Sequence, residues 1–178
     1  MLTREQFLPH EMRIVAALRM QGASDEQVIV RVKSENLFQY PTERMVANRA
    51  TVCLRRLDAM VPADAVCAAR GIDPKTAVEA ASSLTGLMAS GTPAQADQAI
   101  FYSMICRYDI VRELVLVEVG EHLQNFDYAF TAVDLNAFMT RFTTEYPDAA
   151  RWTEATVKRI KGSLRQTLRH AALIGEGQ

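Results

Sequence analysis

The sequence predicts an all-α protein in which an N-terminal helix–turn–helix or winged-helix-like unit packs on a helical C-terminal part. Three observations predict this class. Apolar residues recur at helical spacing along the 178-residue chain, capping residues precede these stretches, and prolines and glycines stand at the predicted helix ends. Local signals and the apolar pattern therefore agree on helices.

Capping residues and prolines place each helix in turn. The N-terminal helices are predicted to begin at Pro9, Ser24, Thr42 and Pro62, the last of them ending at Gly71. The C-terminal helices are predicted to begin at Asp73, Thr92, Asp109, Asp134 and Thr153. Residues 127–133 alternate enough to predict a short strand or a wing-like loop. We divide the chain into a helix–turn–helix-like unit, residues 1–71, and a helical C-terminal domain, residues 72–178.

The third predicted helix, residues 42–60, is amphipathic. Its apolar face holds Val46, Ala50, Cys53 and Leu57. The opposite face carries a narrow polar stripe of Arg44, Asn48, Thr51 and Arg55. A recognition helix presents such a composition to DNA, because arginines neutralise phosphates and an asparagine amide reads base edges.

Charge is segregated along the chain, although the formal net charge is only −1. Six basic and two acidic residues give residues 31–56 a balance of +4, and five against one give residues 153–170 the same balance. Eight acidic and two basic residues give residues 109–148 a balance of −6. Two basic helices favour a polyanionic partner. The alternative that they are ordinary solvent faces, with pairs such as Glu154–Lys158, stays open.

Recognisable catalytic and metal-binding motifs are missing from the sequence. It contains neither GxxxxGK[ST] nor GxGxxG. Glu118 and His122 lie one helical turn apart, but the further ligands that a di-iron bundle needs are lacking. We therefore expect no enzymatic activity, no catalytic residues, no metal and no cofactor. The 3 scattered cysteines predict buried thiols in a reducing cytosol.

The chain is expected to be soluble and cytoplasmic, with no membrane partner. A spanning helix needs roughly 18 consecutive apolar residues. The strongest apolar stretch, Leu114 to Val119, is far shorter and contains Glu118.

Two segments share a pattern that suggests an internal repeat. Residues 24–60 and 134–171 each read as a capped helix, a connection and a long basic helix. The motif Thr-Glu-x-x-Val occurs at 42–46 and again at 153–157. The C-terminal part would then hold a second helix–turn–helix-like unit. The alternative stays open that any two such units share caps and spacing.

Several motifs, taken in order along the chain, resemble those of one protein family. They are Glu35-Asn36-Leu37-Phe38-Gln39-Tyr40, Leu54-Arg55-Arg56-Leu57, Phe101-Tyr102-Ser103-Met104, Asp134-Leu135-Asn136-Ala137-Phe138-Met139 and Trp152-Thr153-Glu154-Ala155-Thr156-Val157-Lys158-Arg159. Over most of its length the chain resembles the BrxA family of bacterial BREX phage-defence systems. The resemblance implies a small helical protein that binds DNA through helix–turn–helix or winged-helix-like parts.

Candidate DNA-binding residues follow from the resemblance and from the charge pattern. The resemblance implies contacts at Arg44, Arg49, Arg55, Lys158, Arg159 and Arg165. The helical wheel adds Asn48 and Lys161, and the basic segments also contain Lys33 and Arg169. We expect a non-catalytic protein that binds double-stranded DNA, largely through phosphates, with other BREX proteins as further partners. Two alternatives remain: an RNA-binding module of the NusB type, to which the family has been likened, and a protein-interaction adaptor within the BREX machinery.

Overall fold

Helices form most of the computed structural model, which describes residues 6–174. No strand occurs among those residues, and the predicted all-α class is confirmed. No helix between residues 6 and 174 combines the length and apolar character needed to cross a bilayer. The ends of the two predicted units, residues 1–5 and 175–178, lie outside the described residues.

Residues 8–107 form one compact unit, called here the N-terminal unit. Its helices are α1 (Pro9–Met20), α2 (Asp25–Ser34), α3 (Glu43–Asp58), α4 (Asp64–Arg70), α5 (Pro74–Ser90) and α6 (Pro93–Arg107). Helix α1 packs against α2, α3, α5 and α6, and its Met12 and Val15 are fully buried. The unit ends at residue 107 rather than at the predicted residue 71, because α5 and α6 share a core with α1 and α3.

The predicted start signals act as local caps. The Ser24 hydroxyl accepts the N–H of Gln27 at 3.3 Å, and the Gln27 side chain accepts the N–H of Ser24 at 2.8 Å. At the start of α3, the Thr42 hydroxyl accepts the N–H of Met45 at 3.3 Å. Each bond satisfies an N–H that has no partner inside its own helix. The capping box predicted for α2 is therefore confirmed.

Helix α3 packs through the face that its sequence predicts. Val46, Ala50, Cys53 and Leu57 are buried. The helices that α3 contacts include α1, α2 and α6. Removing this apolar surface from water stabilises the packing by about 25 cal/mol per Å². The polar stripe on the opposite side of α3 is thereby turned away from those helices.

Among the described residues, the C-terminal unit comprises residues 108–174 together with residues 6 and 7. Its elements are α7 (Asp109–Glu113), a π-helical segment (Leu114–Val119), α8 (Gly120–Gln124), α9 (Ala132–Glu145), a 3-10 turn (Ala149–Arg151) and α10 (Glu154–His170). Phe138 of α9 and Ile160 and Leu164 of α10 are fully buried. Phe142 stacks on Tyr146, with ring centroids 4.2 Å apart. Packing between α9 and α10 therefore builds the core of this unit.

The short strand considered for residues 127–133 is wrong. Residues 127–131 form an irregular loop, and α9 already begins at Ala132, two residues before the predicted start. The Thr131 hydroxyl accepts the N–H of Val133 at 3.2 Å, and the Asp134 carboxylate accepts the N–H of Thr131 at 2.7 Å. Thr131 is thus the N-cap of α9, and Asp134 is the third helical residue, whose side chain completes the capping box.

A bulky residue in the left-handed conformation ends α8. Phe126 has φ 57°. The N–H of Phe126 donates to the carbonyl of Leu123 at 3.2 Å, and the N–H of Asp127 donates to the carbonyl of His122 at 2.9 Å. This is the Schellman pattern, in which glycine usually occupies the left-handed position. The Phe126 side chain is 80 % exposed, so burial of its own ring offsets none of the backbone cost.

We expect Phe126→Gly to stabilise the protein. Glycine relieves the strain of the left-handed backbone but has a greater conformational entropy in the unfolded chain. The net increase in the free energy of unfolding is about 1 kcal/mol. The Tm in thermal unfolding should rise by about 2–4 °C. Phe126→Ala removes the ring but keeps the Cβ, and should stay close to the wild-type Tm. Equal Tm values for the glycine and alanine variants would contradict a strained backbone at this position.

Candidate nucleic-acid interface

The linker between α2 and α3, residues 35–42, sets the position of α3. Phe38 is buried, which fixes the middle of the linker in the core. The Asn36 side chain closes the same segment: its amide donates to the carbonyl of Tyr40 at 3.0 Å and its oxygen accepts the N–H of Tyr40 at 3.2 Å. The chain therefore enters α3 from an ordered turn.

A buried carboxylate ties this linker to α1. Glu11 is only 7 % exposed, and its carboxylate accepts a hydrogen bond from the Tyr40 hydroxyl. Burial and then the bond to Glu11 raise the pKa of Tyr40 to about 12, while the nearby charge of Arg49 opposes part of the rise. Tyr40 thus stays protonated at neutral pH and serves as the donor that a buried carboxylate requires.

The polar stripe of α3 is open along most of its length. Arg44, Asn48 and Arg55 are exposed. Thr51 is half-buried and donates its hydroxyl to the carbonyl of Ala47 at 2.9 Å. Within residues 6–174 the side chains of Arg44, Asn48 and Arg55 make no hydrogen bond or salt bridge. These three side chains are therefore available to a ligand.

Nearby carboxylates are neutralised by other cations. Arg31 Nε lies 3.3 Å from Glu35 Oε1, and Lys33 Nζ lies 3.2 Å from Glu43 Oε2. These are the two acidic residues of the basic segment 31–56. Lys33 is thereby placed in an ion pair beside an open cavity of about 320 Å³, which Ile29, Val30, Ser34 and Glu43 also line. The pairs leave the charges of the α3 stripe uncompensated at short range.

Two arginines on the flank of α3 are withdrawn from solvent. Arg49 is half-buried and close enough to Tyr40 for its charge to influence the pKa of the phenol. Arg56 is fully buried, and both side chains are engaged in interactions within the protein. The charge of Arg49 thus acts on Tyr40 of the linker, at a position where the resemblance implies a DNA contact.

Helix α10 presents a second set of cations, in the C-terminal unit. Lys158 and Arg159 are exposed, and Arg165 is half-buried. Lys161 Nζ donates to Asn136 Oδ1 of α9 at 2.6 Å, and the exposed Arg169 also has a partner within the protein. Of the predicted cations of α10, Lys158 and Arg159 are therefore exposed to solvent, whereas Lys161 and Arg169 are held by partners within the protein.

The i,i+4 pair considered for Glu154 and Lys158 is not formed. In the described part of the chain no salt bridge joins these two side chains. The charge of Lys158 at the start of α10 thus has no local counter-ion.

Some carboxylates of the acidic segment 109–148 have partners within that segment. Arg141 lies 2.7 Å from Glu118 and 2.8 Å from Glu145. His122 Nδ1 lies 3.2 Å from Asp127 Oδ2, and the Nε2 atom lies 4.0 Å from Asp134 Oδ1. Among residues 6–174 no group of three His, Cys, Asp or Glu side chains is arranged to hold a metal ion.

The two helix pairs have similar local construction. Residues 35–42 join α2 to α3, and residues 146–153 join α9 to α10, so both linkers have the same length. The Thr153 hydroxyl accepts the N–H of Thr156 at 3.2 Å, as Thr42 does for α3. Caps and linker length are what any two such units share, so the repeat stays a prediction, and the irregular 3-10 turn at Ala149–Arg151 distinguishes the second pair.

The BrxA family model matches residues 1–178, the whole chain. The chain belongs to the BrxA family. Membership in the BrxA family makes it a component of a BREX phage-defence system, with other BREX proteins as prospective partners. No curated protein matches this BrxA-family chain significantly.

Sequence reasoning missed the residues that support the interface. Glu11 and Tyr40 are 29 residues apart, and Asn136 and Lys161 are 25 apart. No local motif joins either pair. The one available signal was a glutamate among the apolar residues of α1, which foreshadows a buried carboxylate with a partner elsewhere.

Tyr40→Phe should destabilise the protein, because it leaves the buried Glu11 carboxylate without the Tyr40 donor. The expected cost at neutral pH is about 1.5–3 kcal/mol, measured by urea unfolding. Tyr128→Phe, which removes a hydroxyl from an exposed side chain, should cost nothing measurable.

The pH dependence of this loss has a definite sign. The folded-state pKa of Tyr40 is raised from the ordinary 10.0 to about 12, so the stabilisation is complete below pH 10 and is lost as the pH rises toward 12. The stability gap between wild type and Tyr40→Phe should therefore narrow over this window. A gap that stays constant or widens would contradict the role assigned to the phenol.

Proposed function

We propose that the chain is a non-catalytic, double-stranded-DNA-binding component of its BREX system. The observation that carries the proposal is the stripe of α3, where Arg44, Asn48 and Arg55 are exposed and make no hydrogen bond or salt bridge within residues 6–174. Free guanidinium groups bind phosphates and release condensed counterions, which supplies most of the affinity of phosphate-dominated DNA binding.

The spacing of the stripe suits a major groove. Arg44 and Arg55 are 11 positions apart, which is about 16 Å along a helix that rises 1.5 Å per residue. A major groove is about 12 Å wide. With α3 in the groove, the two arginines would reach the phosphates at its edges while Asn48 faces the bases. Asparagine pairs best with the adenine N6 and N7 positions.

Helix α10 offers additional phosphate contacts. Lys158 and Arg159 are exposed at its start, and Arg165 follows about two turns later. In the same unit, residues 109–148 carry a charge of −6 and would be repelled by DNA. Within the C-terminal unit, this separation of charge would turn α10 toward the duplex.

The non-catalytic part of the proposal rests on the sequence, which lacks the phosphate-binding and nucleophile motifs named above. RNA is the alternative ligand for the same basic helices. Proteins that recognise single-stranded RNA usually stack its bases on aromatic side chains. The polar stripe of α3 contains no aromatic residue, which favours duplex DNA over that mode.

Arg44→Ala/Arg55→Ala should weaken binding to a mixed-sequence duplex and flatten its salt dependence. Each phosphate contact contributes about −0.9 to the slope of log K against log salt, so the slope should fall in magnitude by about 2. Fluorescence anisotropy across a salt series measures both quantities. Lys158→Ala/Arg159→Ala tests α10 in the same way.

Arg70→Ala/Lys75→Ala is the matched control, since it removes two exposed cations from other helices of the N-terminal unit. This control should keep most of the wild-type slope. Equal losses in all three variants would indicate non-specific charge attraction. No duplex binding by the wild type at low salt, or preferred binding of RNA in competition, would overturn the proposal. The duplex should also remain intact during incubation with Mg²⁺.

Asn48→Ala should change specificity rather than phosphate affinity. Selection from randomised duplexes should enrich adenine at one position with the wild type, and this enrichment should disappear with the variant. The salt slope should be unchanged, because Asn48 is uncharged. A variant that keeps the same enriched base would contradict base reading by Asn48.

A further inference from the structure

The C-terminal unit exposes an apolar surface that the DNA-binding proposal does not use. It is formed by Leu123 at the end of α8, Phe126 and Tyr128 in the following loop, and Val133 in the first turn of α9; we call these four residues the Phe126 patch. Phe126 is 80 % exposed and Tyr128 is 73 % exposed. Single exposed apolar residues are common, but four within a short stretch that includes two aromatic rings mark an interaction site.

Contacts around His122 draw these four residues into one neighbourhood. The His122 ring lies 3.2 Å from Asp127 and 4.0 Å from Asp134, and it packs edge-on against the buried Phe130 at a centroid distance of 5.5 Å. Each patch residue is a chain neighbour of one of these contacts. Phe126 and Tyr128 flank Asp127, Leu123 follows His122, and Val133 precedes Asp134. These contacts hold the loop against α8, and all four exposed apolar side chains lie on this held segment.

Stability of the isolated chain gives no reason for an aromatic residue at position 126. The left-handed backbone there, with φ 57°, favours glycine, and the exposed ring gains little from packing. A large apolar side chain held out of the core on a strained Schellman turn is costly unless something covers it. The strain and the exposure coincide at the same residue.

The charge around the patch selects the chemistry of its partner. Between residues 114 and 140 the chain carries Glu118, Glu121, Asp127 and Asp134 but no lysine or arginine. Glu118 is paired with Arg141. Glu121 is exposed, and Asp127 is also exposed although it lies 3.2 Å from His122. A nucleic acid would be repelled here, and an isologous contact with the same patch of a second copy would bring like charges together.

We propose that the Phe126 patch is a docking site for a basic amphipathic segment of another protein. The apolar face of such a segment would cover Phe126 and Tyr128, and its lysines or arginines would face Glu121 and Asp127. Recognition of an amphipathic helix by an apolar surface with complementary charge is a common mode of peptide binding. The patch lies in the C-terminal unit and uses no residue of the α3 stripe, so the chain would bind DNA and a protein partner through different residues.

The test uses the full chain and two synthetic helical peptides of equal length, one built from leucine and lysine and one from leucine and glutamate. Isothermal titration calorimetry should show binding of the leucine–lysine peptide only. Phe126→Ser/Tyr128→Ser should weaken that binding at least tenfold, and Glu121→Lys should weaken it and reduce its salt dependence. Val66→Ser/Val78→Ser, which removes two exposed apolar side chains from the N-terminal unit, should bind as the wild type does.

Several outcomes would overturn the proposal. Equal binding of both peptides, or equal loss in the control variant, would mean that the patch selects nothing. A wild-type dimer in light scattering that becomes monomeric in Phe126→Ser/Tyr128→Ser would assign the patch to a second copy of the chain.

Peptide binding at the Phe126 patch and duplex binding by the α3 stripe can be tested separately. Duplex affinity should be unchanged in Phe126→Ser/Tyr128→Ser, and peptide affinity should be unchanged in Arg44→Ala/Arg55→Ala. Phe126→Gly serves as a second variant, because it should lose peptide affinity while its Tm rises. Loss of peptide binding in a variant with raised Tm cannot come from misfolding, and retention of full peptide affinity by Phe126→Gly would contradict the proposal.

Discussion

The buried carboxylate of Glu11 is the constraint on which the arrangement of the N-terminal unit depends. A charge in that position is tolerated only with a donor, and Tyr40 supplies one from the linker that leads into α3. The bond therefore joins α1, which lies against four other helices of its unit, to the segment that sets the start of α3. Phe38 of the same linker is buried. Apolar packing of Phe38 and the hydrogen bond of Tyr40 to a carboxylate therefore both hold the linker in place.

Ion pairs within a basic segment decide which of its lysines and arginines are exposed without a counter-ion. In residues 31–56 the two glutamates pair with Arg31 and Lys33, and Arg49 and Arg56 are engaged within the protein. Arg44 and Arg55 keep their charges exposed on the side of α3 opposite its buried face. The +4 charge of residues 31–56 is thus concentrated, among exposed side chains without a counter-ion, on Arg44 and Arg55. Electrostatic steering and phosphate binding both depend on such exposed charge.

The C-terminal unit also pairs some charges and leaves others exposed. Arg141 pairs with Glu118 and Glu145, and Arg112 pairs with Asp109, so these three carboxylates have their counter-ions in the same acidic segment and not on α10. The exposed carboxylates of Glu121 and Asp127 and the exposed aromatic residues lie in α8 and the α8–α9 loop, while the basic charge lies on α10. A BrxA-family protein built this way can present surfaces of opposite character from one small helical unit.

The sequence by itself determined the helices, their caps and the buried face of α3, because these depend on residues three or four positions apart. Ser24 with Gln27, Thr42 with Met45, and the spacing of Val46 and Ala50 are such signals. It also indicated the polar stripe of α3 and the basic face of α10. Only the tertiary structure decided that Lys161 is held by Asn136, that Arg56 is buried, and that Tyr40 donates a hydrogen bond to Glu11. These outcomes depend on contacts between distant segments and on the water that each contact excludes, and neither is encoded in local spacing.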